Sequence, residues 1–353
     1  MNVTPNPLVG VILHAVGAVS AALCYTPQKG TKAWSWQTYW LAQAAVCWLI
    51  LPMLGAWWTI PDLAVVLAEA PGSAMRNAFL LGALYGVGGT AFGLAIKHLG
   101  FSLTYAIAIG ISCVLGTLLP PALSGELEKV FGRTGSGWVL TGIGIGVIGI
   151  LVSGLAGRFK ELDLDGQNTG FDLRKGLPLC ILAGVLSAVY GFALAAGQPI
   201  ADVAVKYGAG VFQSNVVYIF SNGGAFLTTA VYCLWLHFRH RTFGEYVELP
   251  AGPRRSALPI NFAFAILTGC LWYGQFFFYG LGHVRMGEFK FSSWGIHMIM
   301  LVFFSSLAGV VLREWKGCRS RTWTALGVAL FVLLAAVLSL AYGSYLGEAA
   351  TSH

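Results

Sequence analysis

Ten apolar runs alternate with short polar links from one end of the chain to the other. They cover roughly residues 8–25, 36–58, 76–97, 101–121, 136–157, 175–197, 211–237, 257–283, 291–312 and 322–346. A helix needs about 20 apolar residues to cross a hydrocarbon layer about 30 Å thick, and each run meets or approaches that length. Lipid offers no partner to an open backbone N–H or C=O, so every run is expected to be helical. The expected fold is therefore an all-α integral membrane protein with ten transmembrane helices. The 353 residues are 57% hydrophobic and only 10% charged, against about 25% charged in a soluble domain. No water-soluble core hides that much apolar surface.

The net charge of +7 does not point to nucleic acid, because the basic residues sit between the apolar runs. Positive charge in short links is a topology signal instead. Arg76, Lys129, Arg133, Lys206, Arg285 and Lys290 fall on one side of the expected membrane. The other 15 of the 21 basic residues fall on the opposite side, which is expected to be cytoplasmic. Both termini then face outward. Of the seven cysteines, only Cys318 lies in a link, and none form a Cys-x-x-Cys pair. Neither a metal site nor a disulfide framework is expected. The first apolar run lacks a basic flank and a clear small-residue cleavage site, so no cleavable leader is expected.

The two halves share a weak pattern. Gly82-Ala-Leu-Tyr, Phe92-Gly-Leu and Gly100 line up without gaps against Gly269-Cys-Leu-Trp, Tyr279-Gly-Leu and Gly287. Gly17-Ala-Val-Ser-Ala lines up with Gly184-Val-Leu-Ser-Ala. The expected organisation is a first five-helix repeat over 1–157, a cytoplasmic link over 158–174 and a second repeat over 175–353. Five spans per repeat turn the second copy upside down, the plan of many secondary transporters, with a site near the midplane. Chance similarity between Gly-rich helices is the competing explanation.

Polar groups inside the runs are the candidates for function, because intramembrane polar residues commonly face protein or a water-filled cavity. In the eighth run Trp272, Gln275, Tyr279 and His283 follow i, i+3, i+7, i+11 spacing and form one stripe. Aromatic faces suit the C–H faces of a sugar, and an amide both donates to and accepts from hydroxyls. An aromatic packing stripe, with Gln275 bonded to a neighbouring helix, is the other reading. His283, at the outer end, reads as an interfacial residue. In the ninth run Trp294, His297 and Leu301 share a face, and His14 in the first run lies at a matched depth. The two histidines either face one cavity or each donate to a nearby carbonyl. Asn215, Tyr218 and Asn222 in the seventh run make a second hydrogen-bonding stripe, and Gln43 stands near the middle of the second. For Asn215, Asn222 and Gln43, interhelical bonding is the common explanation.

Absences narrow the function. None of the 14 acidic residues lies mid-run, so a proton-coupled carrier would have to use His297, His14 or an edge group such as Glu288. There is no Walker A loop to bind ATP. No Ser/His/Asp set, His-Glu-x-x-His helix or pair of intramembrane acids marks an enzyme, and no cofactor is expected. The expected partners are the bilayer and a small solute with a proton, with no nucleic acid and no obligate protein partner.

Several strings together carry a family resemblance. They include Tyr25-Thr-Pro-Gln-Lys29, Phe92-Gly-Leu-Ala-Ile-Lys-His-Leu-Gly100, Leu271-Trp-Tyr-Gly-Gln-Phe-Phe-Phe-Tyr279, Gly282-His-Val-Arg285, Ser293-Trp294, His297-Met298 and Glu314-Trp315. The chain resembles the bacterial L-rhamnose–proton symporter family of the drug/metabolite transporter superfamily along nearly its whole length. The resemblance implies two inverted five-helix repeats, an inner-membrane location and uptake of a 6-deoxyhexose with a proton. His14, Trp272, Gln275, Tyr279, His283, Trp294 and His297 fall on matching positions. An acidic residue of the family's pattern is replaced by Lys290 here, with Glu288 close by. The expectation is a sugar importer whose substrate contacts are Trp272, Gln275, Tyr279, Trp294, His14, Asn215 and Asn222. The alternatives are an exporter of metabolites or drugs, or a membrane-embedded enzyme or sugar sensor. The charge distribution makes one direct prediction. A reporter active only in the cytoplasm, fused after His353, stays silent, and strong signal from it overturns the orientation.

Overall fold

A computed structural model describes residues 4–99, 101–123, 125, 127–164, 172–248 and 257–351. The side chains of Lys97, Phe101, Ser102, Leu127, Glu288 and Thr351 lie outside that description. The described residues form helices joined by short turns, with no strand among them. Ten helices are long and apolar enough to cross a membrane: α1 Pro7–Gly30, α2 Trp36–Thr59, α3 Gly72–Ile96, α4 Leu103–Leu123, α5 Ser136–Asp163, α6 Leu173–Lys206, α7 Gly210–His240, α8 Ala257–His283, α9 Phe289–Val311 and α10 Ser320–Ala350.

The ten expected spans are present, and their ends move for identifiable reasons. Helix α3 starts four residues earlier than expected. Pro71 stands at its first turn, where a missing N–H costs nothing, and its carbonyl accepts from Ala74 and Met75. Helix α6 continues past Gly197 to Lys206 as an amphipathic stretch. Its Ile200, Ala201 and Ala204 pack on Val66 of a short helix, Leu63–Glu69, in what the hydropathy pattern leaves as a link. The expected 158–174 link is partly taken up by helix at both ends: α5 runs to Asp163 and α6 begins at Leu173. Residues 165–171 of that link lie outside the described residues.

The chain divides into two compact units, each drawing on both sequence halves. One comprises residues 1–2, 23–87 and 193–277; the other comprises 3–22, 88–192 and 278–353. The first unit thus holds α2 and α7 with the N-terminal parts of α3 and α8. The second holds α4, α5, α9 and α10, with most of α1 and the N-terminal part of α6.

Within each unit small residues set how closely helices approach. Lipid tails are as apolar as leucine, so packing contact rather than exclusion from solvent holds such helices together. In the first unit Gly82 of α3 lies directly against the Ser221 carbonyl of α7, and Gly224 of α7 lies against the Phe79 carbonyl of α3. In the second, Gly142 of α5 faces Leu340 and the Ala336 carbonyl of α10. At the end of that pair, Asp163 accepts from the Arg319 backbone at 2.8 Å and the Thr322 hydroxyl at 2.5 Å, supplying the start of α10 with a partner. Gly82→Ala puts a methyl into the Ser221 backbone, and overpacking of this kind typically costs about 1–3 kcal/mol. Its melting temperature in detergent is expected to fall. Gly144→Ala, whose Cβ meets nothing within 4 Å, leaves it unchanged. Equal melting of the two variants contradicts this account of the α3–α7 contact.

Candidate functional site

The second unit gathers four of the residues singled out in sequence around Tyr279. His14 comes from α1, Tyr279 and His283 from α8, and Trp294 and His297 from α9. The Tyr279 ring lies 5.1 Å from the His14 ring and 5.6 Å from the His297 ring, centroid to centroid. The two imidazoles are 6.2 Å apart. On its other sides Tyr279 stacks on His283 at 5.7 Å and meets Trp294 edge-on at 5.8 Å. The α8 spacing explains the stack, because residues four apart share a helix face. Gly10 and Gly282 explain the approach of α1: a Cβ at Gly282 would sit 2.8 Å from the Gly10 carbonyl oxygen and 3.1 Å from His14 Nε2.

The polar groups of this cluster divide into engaged and unengaged. The Trp294 indole N–H donates to the Ser112 carbonyl and hydroxyl of α4, each at 3.1 Å, and the Ser112 hydroxyl bonds Ser187 at 3.0 Å. Gly116 leaves room for the indole against α4. His283 Nδ1 lies 3.1 Å from the Ser293 hydroxyl. These bonds hold Trp294 and His283 in place while the Trp294 ring faces Tyr279. By contrast, neither ring nitrogen of His14 has a hydrogen-bond partner in the protein, nor does His297 Nδ1. Their exposures are 0% and 2%. An imidazole nitrogen with no partner remains free to accept or give a proton or to bond a solute hydroxyl. The two histidines thus lie side by side, and His297 also hydrogen-bonds the His14 backbone.

The first unit holds the other candidates. Trp272 meets Tyr25, Trp40 and Trp48 edge-on at 5.2, 5.9 and 5.6 Å. Gln275 is buried beside it on α8. The Asn215 amide donates to the Thr59 hydroxyl of α2 at 2.8 Å, the interhelical bond that its position suggests, and Asn222 is buried on α7. Tyr218 donates to the Phe276 carbonyl at 2.6 Å. Gln43 departs from expectation. Its amide oxygen meets the Cys47 thiol of its own helix at 3.6 Å, and its amide nitrogen bonds no neighbouring helix. The Glu288 side chain lies outside the described residues.

One further polar group had no clear sequence signal. At the far end of α9 from His297, a cavity of about 80 Å³ is lined by Ser153, Ser305, Ser306, Lys160, Glu314 and Trp315, among others. That is room for several waters. Lys160 pairs with Glu314 at 3.2 Å and lies 4.8 Å over the Trp315 ring. Both charged residues stand at helix ends, where sequence reads them only as topology markers.

Comparison with known proteins agrees with the geometry. The family model for the L-rhamnose-proton symport protein matches residues 4–344. A relative from Pectobacterium atrosepticum, named L-rhamnose-proton symporter, is 33% identical over 341 residues, covering 95% of this chain and 98% of its own. One of the same name from Yersinia pestis is 33% identical over 332 residues, covering 93% and 96%. A third, from Pectobacterium carotovorum, is 33% identical over 342 residues, covering 95% and 98%. With a match over nearly its whole length and ten spanning helices to carry it, the chain belongs to the L-rhamnose-proton symport protein family.

Proposed function

We propose that this protein carries L-rhamnose, or a closely related 6-deoxyhexose, across the bacterial inner membrane together with a proton by alternating access. The observation that carries the reading is the buried cluster of His14, Tyr279 and His297, in which both ring nitrogens of His14 and Nδ1 of His297 have no hydrogen-bond partner in the protein. Symport needs one group that holds a proton and surfaces that hold a sugar. No acidic residue lies mid-span in the sequence, and the two histidines are the titratable groups at the centre of this cluster. Tyr279 and Trp294 present aromatic faces beside them, of the kind that pack against sugar C–H groups.

His297 is assigned the proton and His14 a relay or a sugar hydroxyl. His297 lies on α9, and a short link joins α9 to the α8 stripe that carries Trp272, Gln275 and Tyr279. Asn215 and Asn222 are retained as candidate sugar contacts on α7, although Asn215 already spends a donor on Thr59. Glu288 remains the alternative proton group. The division into two inverted repeats draws support from the composition of the units: the first takes the second helix and the N-terminal part of the third from each half, and the second takes the fourth and fifth. Outward-facing termini rest on the distribution of basic residues.

The test uses wild-type protein and His297→Gln in the same proteoliposomes. Wild type exchanges labelled L-rhamnose in counterflow. With an acid exterior one pH unit below the interior, one-for-one symport accumulates sugar up to about tenfold, because one pH unit is worth about 1.4 kcal/mol. The sign follows from inward proton movement, so an alkaline exterior gives no accumulation. His297→Gln keeps counterflow and loses accumulation. A mutant that still concentrates sugar in response to external acid removes His297 from the coupling role. A wild type with no counterflow of any 6-deoxyhexose removes the sugar.

A further inference from the structure

The first unit contains buried donors that the fold leaves without acceptors. Gln43 is 0% exposed, Trp40 4% and Trp48 1%, and all lie on α2. The Gln43 amide nitrogen and the indole nitrogens of Trp40 and Trp48 have no hydrogen-bond partner in the protein. An unmet buried donor is costly, and side chains in folded proteins seldom leave one. Three within nine positions of one helix form a pattern that packing alone does not explain.

The local backbone explains how the three come together. Trp40 and Gln43 are three apart and share a face. In a regular helix, five residues amount to about 500°, so Trp48 would point roughly 140° away from Gln43. Residues Ala45–Ile50 instead form a π turn, with the Leu51 N–H bonding the Val46 carbonyl five residues back. Such a turn brings residues five apart into line, and π turns are frequent at functional sites. Its cause is in the sequence. Pro52 has no N–H for the Trp48 carbonyl and its ring crowds that carbonyl, so the regular ladder fails there. Trp272 of α8 lies edge-on to both Trp40 and Trp48, which confirms that the two indoles share one side of α2. Gly269 lets α8 come close: a Cβ there would lie 3.1 Å from the Gln43 carbonyl oxygen.

We infer that Gln43, Trp40 and Trp48 form a sugar subsite, with the Trp272 ring as its wall, that donates hydrogen bonds to the hydroxyl or ring oxygens of a neutral monosaccharide. This rests on the transport reading above. The chemistry selects the ligand class. The cluster offers N–H donors and aromatic faces and no charged side chain, so a neutral polyhydroxylated solute fits it. A buried anion would lack a counter-charge. The thiol of Cys47, against the Gln43 amide oxygen, leaves the amide N–H₂ as the part of Gln43 available to a ligand.

The experiment measures binding of L-rhamnose to the purified full chain in detergent, by calorimetry and by sugar-induced thermal shift. Gln43→Leu replaces the amide with an apolar side chain of similar size. It is expected to weaken binding at least fivefold, the factor corresponding to about 1 kcal/mol for a lost hydrogen bond. The sugar-free melting temperature stays the same or rises, because an unmet buried amide is removed. A purely structural role for Gln43 predicts the reverse, a lowered melting temperature with unchanged affinity, and that outcome overturns the inference. Trp48→Phe keeps the ring and deletes the N–H. It is expected to weaken binding at least threefold, and it decides the matter if Gln43→Leu does not fold. If wild type binds no L-rhamnose, the transport reading fails on its own terms. The subsite is then judged by thermal shift with a panel of neutral monosaccharides, and absence of any Gln43-dependent shift overturns it.

Discussion

Helix contact without a solvent drive is the constraint on which the rest of this protein depends. In lipid, two leucine faces gain little by meeting, so helices hold together where backbones can approach closely. Gly82, Gly224 and Gly142 supply that approach, each with a neighbouring carbonyl where a side chain would otherwise stand. The same device positions chemistry. Gly282 and Gly10 bring α1 against α8, and that approach carries His14 to within 5.1 Å of Tyr279. Gly116 opens α4 for the Trp294 indole, which then anchors on Ser112. The glycines therefore place the functional side chains as well as the helices.

A second consequence concerns unmet polar groups. Outside the membrane a free imidazole nitrogen or amide N–H finds water at little cost. Inside a helical unit it finds protein, a hydrated cavity or a ligand. Most buried polar groups here have settled on protein: Asn215 on Thr59, Tyr218 on Phe276, Thr268 on the Cys24 carbonyl at 2.8 Å. Against that background the unengaged nitrogens of His14, His297, Gln43, Trp40 and Trp48 stand apart. The His14, His297, Trp40 and Trp48 rings each meet two or more other aromatic rings, the combination that sugar recognition uses.

Much of this was legible in sequence, and the part that was not has a physical reason. The ten spans follow from run length, since a bilayer of fixed thickness admits few alternatives. The stripe from Trp272 to His283 follows from helical periodicity, and the stacking of Tyr279 on His283 is its direct result. Periodicity says which residues share a face but not which helix that face meets. Hence the pairing of His14 with His297 stood open beside separate carbonyl bonds, and Gln43 read as an interhelical donor. The allocation of helices to two units also depends on contacts distant in sequence. The π turn in α2 was announced by Pro52, a residue that marks a break without stating its form.

On the proposed reading, α8 carries candidate residues for the sugar and lies beside His14 and His297. Its N-terminal part carries Trp272 and Gln275 in the first unit, and its C-terminal part carries Tyr279 and His283 in the second. These four residues lie along one face of one continuous helix. A ligand couples to a distant group only through its different affinity for two states of the element between them. A helix transmits axial rotation or tilt with little loss, because every turn is bonded to the next. Reciprocity then requires that a proton on His297 change sugar affinity by the same factor. Coupling of this kind needs no acidic residue in the membrane, which accounts for how a symporter can work with all its carboxylates at helix ends or in links.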